Sequence, residues 1–561
     1  MAARRSTNSI SSDRDQVPYT DAEKHDAVAG DELEFSHSLH RGLKARHITM
    51  IAIGGAIGTG LIIGTGSALA KAGPAPILIS YTIVGFIVYL VMCALGEMAA
   101  WLPLGSGFTG YATRFCDPAL GFSLGWTYWF KYIIVTPNQL TAAALVIQVW
   151  VPREKVNPGV FIAVFLVTII FINYFGIKLF GEFEFWLSSI KVVTICGIIL
   201  VSLILACGGG PNGEATGFKY WKDPGAIKPY IATGATGNFL AIWSTFVTAT
   251  FAYLGTELVG VTVGEAQNPR KTIPHAIRLT FYRILIFYCL SVFLLGMILP
   301  YDSPDLLYAT KQSTGANASP FVAAIKLSGI RHLPGILNGC ILLFVFSASN
   351  SDLYIASRTI YGLALEGKAP KFLAKTDKRG VPVYALGLSA SFALLAFMNV
   401  STSSKDVFGY FVNLTTIFGI LTWISILVTH IFFVNARRAQ GITDAQMPYT
   451  APLGKSGSIG ALFMCCLIAI FKNFDVFTPK FNAKNFVTGY LGIPLYLIMI
   501  FGYKILMKSP PIKPEEVDLF SGKDRIDKEE EEFLRQQEIK MQGKAPSGGQ
   551  WFYKTFISWL F

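Results

Sequence analysis

Long apolar stretches separated by short polar ones recur along almost the whole chain. A helix crossing the hydrocarbon core of a bilayer needs about 20 apolar residues. By that length rule we predict twelve spans, near 48–70, 76–100, 120–149, 159–175, 184–206, 237–263, 276–299, 334–363, 382–399, 407–434, 458–478 and 486–507. The third and eighth are over-long, and their ends are expected to run into loops. Two spans are interrupted. The first holds Gly54-Gly55-Ala56-Ile57-Gly58-Thr59-Gly60, and the sixth holds Phe251-Ala252-Tyr253-Leu254-Gly255-Thr256-Glu257. Backbone at bilayer depth must satisfy its own hydrogen bonds, so a broken helix persists there only against protein or a polar cavity. Glycines that merely let helices pack closely are the simpler explanation for either break alone. A second break that carries a glutamate argues against it, because a carboxylate at that depth is costly.

Breaks in spans one and six mean that a five-helix unit occurs twice. An odd number of helices sends the second copy in from the opposite side, an inverted repeat whose ligand site lies between the two broken helices. The fold expected is an all-α polytopic membrane protein of about twelve transmembrane helices, a 5+5 inverted repeat with two helices added. Repeat one covers about 48–206, repeat two about 237–434, and the added helices about 458–507. Residues 1–47 are polar and lack an apolar stretch with a cleavage site, so they read as a disordered cytoplasmic tail. Residues 508–561 read as a second cytoplasmic tail, with an acidic run at Glu529–Glu532 and an aromatic stretch from Trp551.

Composition agrees with this class: 52% of the 561 residues are hydrophobic. The net charge of +12 does not indicate nucleic-acid binding. Its lysines and arginines sit in tails and loops, where membrane topology accounts for them. Counted over loops the two sides come out nearly even, about twelve against about thirteen. Clusters at Arg41, Lys44 and Arg46, at Lys368–Arg379, and at Arg437 and Arg438 place both termini in the cytoplasm. The eight cysteines form no disulfide framework, and most lie in spans as small hydrophobes. No metal set, Walker sequence or hydrolase motif is present, so no enzyme, metal or cofactor is expected.

Helix termini supply the chemistry. Where span one unwinds through Gly54, Ala56 and Ile57, the half-helix beyond it presents free amides and a partial positive end around Gly58, Thr59 and Gly60. These hold a carboxylate without a side-chain charge. In span six the carbonyls of Phe251, Ala252, Tyr253 and Leu254, followed by Gly255, accept from an ammonium. Together they describe a receptor for an amino-acid zwitterion. Ionisable residues inside spans are functional candidates by default. Glu257 at the second break is the foremost. Lys191, eight residues into span five, is a candidate for proton coupling, and Lys131 either snorkels or serves the substrate. Glu97 is expected to anchor loop amides, and His430 to make a hydrogen bond between helices.

At these residues the chain resembles the fungal amino-acid permeases of the amino acid–polyamine–organocation superfamily. The resemblance rests on Arg-His-Ile-Thr-Met-Ile-Ala-Ile-Gly-Gly-Ala-Ile-Gly-Thr-Gly at 46–60, Gly-Glu-Met-Ala at 96–99 and Gly-Thr-Glu-Leu-Val-Gly at 255–260. Gly-Glu-Ala-Gln-Asn-Pro-Arg-Lys at 264–271, Ser-Asn-Ser at 349–351 and Thr-His-Ile at 429–431 complete it. It implies a leucine-transporter-like fold and proton-coupled amino-acid uptake at the plasma membrane, with trafficking or ubiquitylation machinery acting on the tails. Within the family the chain looks most like the dicarboxylic amino-acid permeases. Phe130-Lys131-Tyr132 precedes Thr136-Pro137-Asn138-Gln139-Leu140, and Gln139 stands where broad-range relatives carry glutamate. Removing that negative charge favours an acidic side chain. Lys131 and Gln139, eight residues apart on one helix, are expected to act differently, Gln139 facing the pocket and Lys131 setting its potential. A neutral amino-acid permease of the same fold, and a receptor that senses without transporting, are the competing readings.

Overall fold

Two helical segments cross at the centre of the bundle, and the second is interrupted where the sequence breaks. In the computed structural model, which describes residues 58–175, 177–261, 277, 279–311, 319–400, 404–510 and 512–541, span one enters as a π-helical turn at Gly60–Gly64. It continues as α1, Thr65–Ala72. Span six arrives as α7, Gly234–Tyr253, turns through residues 254–257, and resumes as α8, Leu258–Val261. A methyl group added at Gly60 would lie 2.4 Å from Ala252 Cα, and one at Gly64 3.2 Å from the Thr248 methyl. The two residue sums are equal, so the half-helices run antiparallel, as an inverted repeat requires. Gly60 permits the backbones to touch.

The other helices are α2 (Pro74–Trp101), α3 (Gly107–Phe115), α4 (Pro118–Ile147), α5 (Pro158–Phe175) and α6 (Ile177–Ala206). In the second half come α9 (Ser291–Ile298), α10 (Pro304–Lys311), α11 (Pro320–Leu327), α12 (Leu333–Leu365), α13 (Val383–Ala393) and α14 (Ser404–Ala439). A π-helical segment, Ile284–Leu290, leads into α9. Then follow α15 (Gly454–Phe471), α16 (Ala483–Tyr490), α17 (Gly492–Met507) and α18 (Lys523–Met541). Among the described residues, ten helical stretches have the length and composition to cross a membrane. With the two interrupted segments they account for the expected twelve. Peripheral helices turn apolar side chains outward: Val160, Val164, Val167 and Phe171 on α5, Ile498, Phe501, Ile505 and Leu506 on α17. Exposed apolar surface on this scale marks a lipid-facing wall.

α4 lies at the core, packed most extensively on α12 and α14. Its start is set by Pro118 at the first helical position and by Asp117, whose carboxylate accepts from Ala119 N at 2.8 Å. Pro137 interrupts the backbone ladder inside α4, and the Thr141 hydroxyl donates to its carbonyl at 2.8 Å. Span eight does not run into a loop at its ends, contrary to expectation, whereas the last two residues of span three, 148 and 149, lie in the turn after α4. α4 and α12 are unbroken helices of 30 and 33 residues. Thirty-three residues span about 50 Å at 1.5 Å each, so α12 reaches beyond the hydrocarbon core as helix. α14 likewise is long, continuing to Ala439.

Glu97 ties three elements together. Its carboxylate accepts from Ala451 N at 2.8 Å and meets His430 at 3.1 Å and Arg437 at 3.2 Å, while His430 Nδ1 contacts Ser458 Oγ at 2.8 Å. The loop-anchoring and helix-bridging readings of these two residues agree with this geometry. Beyond α17 the chain does not simply trail away. Residues 514–523 form a strap across the ends of α2, α3 and α14. Leu519 is fully buried and its carbonyl accepts from Trp101 Nε1 at 2.9 Å. Arg114 donates to Asp518 Oδ2 and to the Ser521 carbonyl, both at 2.7 Å, and Gln440 to the Val517 carbonyl at 2.7 Å. The aromatic stretch from Trp551 lies outside the described residues.

Candidate functional site

A cavity sits at the meeting point of the two breaks. Gly58, Thr59 and Gly60 line it from span one, Phe251, Ala252, Leu254, Gly255 and Leu258 from span six. Lys131, Tyr132, Val135 and Gln139 close it from α4, and Ala348 and Asp352 from α12. The space in which a water centre can move is about 40 Å³, several times what one water needs. Three buried polar atoms on its wall have no hydrogen-bond partner: Thr59 Oγ1, Gln139 Oε1 and Asp352 Oδ2. Buried polar atoms are nearly always paired, so three together on one cavity mark a place where a ligand's polar groups belong.

The second break is held by its own glutamate. Helix α7 ends at Tyr253, and Gly255 takes φ +96°, a conformation that favours glycine. That turn aims the Gly255 amide at Glu257 Oε2, 3.1 Å away. The Glu257 carboxylate also accepts from Trp423 Nε1 at 3.3 Å and forms a buried ion pair with Lys131. Lys131 does not snorkel. Its Nζ lies 4.6 Å from the centre of the Tyr132 ring and 5.1 Å from that of Tyr128, both on its own helix.

Most of the residues expected at the site converge there, with four departures. Tyr253 does not line the cavity. Its hydroxyl donates to the Tyr81 carbonyl at 3.0 Å, its ring stacks on Tyr288 at 4.3 Å, and its own carbonyl is taken by the Thr256 amide and hydroxyl. Lys131 lines the same cavity as Gln139 instead of acting only at a distance. Lys191 lies behind the wall, paired with Glu184 at 3.6 Å; Glu184 in turn accepts from Ser347 Oγ at 2.8 Å. Glu257 acts on the wall from behind, through Lys131 and Gly255. Gly54, Ala56 and Ile57 lie outside the described residues.

Two residues were missed in the sequence: Asp352 and Glu184. Asp352 directly follows the Ser349-Asn350-Ser351 motif, and its carboxylate accepts a hydrogen bond from the Gln139 side chain. Both are carboxylates inside apolar spans, so the rule that singled out Glu257 and Lys191 applies to them equally.

A second, larger cavity of about 600 Å³ lies on the side toward which α1 runs. Phe251 lines both cavities, and its ring meets Phe408 edge to face at 6.1 Å. Phe251 therefore lies between the small cavity and the larger vestibule. At the vestibule wall Lys71 pairs with Asp475 at 3.0 Å, and Tyr230 donates to the same carboxylate at 3.0 Å.

Comparison with known proteins agrees with this arrangement. A family model described as amino acid permease matches residues 47–513. The chain is 53% identical over 528 residues to the dicarboxylic amino acid permease of Saccharomyces cerevisiae, covering 93% of this chain and 87% of that protein. It is 38% identical to the proline-specific permease of Emericella nidulans, over 89% of this chain and 91% of the relative. With the lysine-specific permease of Saccharomyces cerevisiae it shares 39% identity, over 90% and 82% respectively. The matched region holds both broken helices and the cavity between them, and the chain belongs to the amino acid permease family, a multi-pass membrane transporter of amino acids.

Proposed function

We propose that this permease imports acidic amino acids, L-glutamate and L-aspartate, across the plasma membrane together with protons. The observation that carries the proposal is the cavity between the two helical segments, with its three unpartnered polar atoms. The substrate α-carboxylate goes to the amides at Thr59 and Gly60, where the half-helix begins. The Phe251 and Tyr253 carbonyls are occupied by turn amides, which leaves those of Ala252 and Leu254 for the ammonium. The side-chain carboxylate then points across to α4, at Gln139 and Lys131. A glutamate in place of Gln139 would repel it, and the dicarboxylic relative supports the same preference.

The vestibule is the extracellular entrance in this reading, and Phe251 the barrier between it and the substrate. That places the loop carrying Lys368, Lys371, Lys375, Lys378 and Arg379, and both tails, in the cytoplasm. Trafficking or ubiquitylation machinery would meet the tails there. The buried Lys191–Glu184 pair, joined to α12 through Ser347, serves proton coupling by changing partners as the bundle rearranges, and Glu257 takes part by holding the second break. The test is uptake of labelled glutamate by cells lacking their own permeases, with every other amino acid as competitor. Uptake is expected to rise as external pH falls, to collapse with a protonophore, and to be competed by aspartate. Strict sodium dependence overturns the coupling. Equal competition by neutral amino acids overturns the acidic preference in favour of the neutral reading, and binding without uptake favours the sensor.

A further inference from the structure

Five ionisable side chains surround the inner wall of the site, and four of them are matched. Lys131 pairs with Glu257, and Lys191 with Glu184. Asp352 is the odd one. Among the described residues no cation lies within ion-pair distance of it. One hydrogen bond reaches it, from Gln139, and its Oδ2 is shut away from solvent without a partner. The groups that face it are Lys131, Gln139 and the phenols of Tyr128 and Tyr132 on α4, with Lys191 and Glu184 on α6. Arg283 faces Glu257, Tyr253 and Tyr288. Both lysines near Asp352 are thus already committed to other carboxylates.

An acidic substrate brings two carboxylates and one ammonium into this cavity. Resting on the acidic-substrate reading above, its side-chain carboxylate approaches Gln139, whose amide already donates to Asp352. Two ionised carboxylates a few ångströms apart in a closed site cannot both persist, and one takes up a proton. Protonation of Asp352 also gives its orphaned Oδ2 a role, because its new O–H becomes a donor for the substrate carboxylate where an ionised Asp352 offers only acceptors.

We propose that Asp352 is the proton-carrying group of the substrate site, taking one proton from the vestibule as an acidic amino acid binds and releasing it on the opposite side when the substrate leaves. The proton comes from vestibule water, forms the Asp352 O–H bond, and returns to water on the far side. A singly negative glutamate and this proton cross with no net charge. Any further proton would have to be carried elsewhere.

The experiment uses the purified full chain, alone and in liposomes. In unbuffered solution near about pH 7, with a pH-indicator dye, glutamate binding to the wild type is expected to remove about one proton per bound substrate. Asp352→Asn keeps a hydrogen-bond donor and cannot titrate. It is expected to take up no proton and to lose accumulation driven by a pH gradient. Its glutamate exchange, relative to its own value at about pH 5, should stay flat to about pH 7.5, whereas wild-type exchange falls, approaching tenfold per pH unit above the group's pKa. Asp352→Glu should retain coupled accumulation with a displaced pH midpoint. Wild-type glutamate binding without proton uptake overturns the inference, whether or not the variants fold. So does Asp352→Asn that accumulates glutamate with the wild-type pH profile. Folded Asp352→Asn that binds no glutamate overturns it in favour of Asp352 as a direct ligand of the substrate ammonium. A wild type that binds only neutral amino acids removes the acidic-substrate reading itself, a different result from any of these.

Discussion

Replacing Glu257 by glutamine should cost the protein most of its stability margin as well as its activity, and adding Lys131→Met should return the stability alone. The carboxylate holds three groups in a fully buried place: the Lys131 ammonium, the Gly255 amide and the Trp423 indole. Glutamine has one acceptor oxygen for these three donors and adds an NH2 that must face another donor. It also leaves the ammonium, at 1% exposure, without its paired carboxylate. Removing one partner of a buried ion pair costs about 3–5 kcal/mol, far more than the pair contributes against an apolar replacement. That is comparable with the entire stability of many domains, about 5–15 kcal/mol. Lys131→Met with Glu257→Gln removes the unpaired charge and should recover at least about 2 kcal/mol of it, and the two changes should be strongly non-additive. The assay is the amount of tagged protein at the cell surface, with the thermal unfolding midpoint of the detergent-solubilised protein. Glutamate uptake per surface molecule is measured in parallel and should stay low in both variants, since the Gly255 amide has lost its carboxylate. A single variant as stable as wild type, or a double variant no better than the single, refutes the energetic reasoning. Normal uptake per molecule in either refutes the role of Glu257 in shaping the site.

Gln139→Glu should lower the ratio of glutamate to glutamine uptake by about 1–3 kcal/mol, roughly fivefold to 150-fold, for a like-charge contact partly screened by water; an unchanged ratio would mean that α4 does not set selectivity. The strap at 514–523 should stay docked through mild acidification. Burial raises the Asp518 carboxyl, but hydrogen bonds from Ser521 and Arg114 outweigh it and hold its pKa below the ordinary carboxylate value. A depressed folded pKa contributes stability above the unfolded value, about 3.9, and loses it only as pH falls through the lower folded one. Hydrogen exchange over residues 514–523 should therefore be equally protected at about pH 5 and about pH 7.5, and Leu519→Asp should expose it at both.

Hydrophobic run length was enough to find the spans, because each helix must cross the same thickness of hydrocarbon whatever its neighbours. The breaks at 54–60 and 251–257 were equally legible, since glycine clusters and a carboxylate at that depth are local departures from a uniform apolar pattern. From them followed the antiparallel crossing at Gly60 and Ala252, and the placing of Thr59, Phe251 and Gly255 around one cavity, while Gln139 was placed there by the family resemblance. Partnership was not legible. Lys131 and Glu257 are 126 positions apart, and Glu97 meets His430 at a separation of 333. Nothing in either local segment says which group the other will face. Tyr253 shows the same limit at close range: it sits between the cavity residues Ala252 and Leu254, yet its ring goes into the packing against Tyr288. Periodicity assigns a residue to a face of its own helix. Which faces meet, and hence which charge goes unmatched, is fixed only when the helices pack: the sequence could offer Asp352 as an ionisable residue inside a span, but not as the unmatched one.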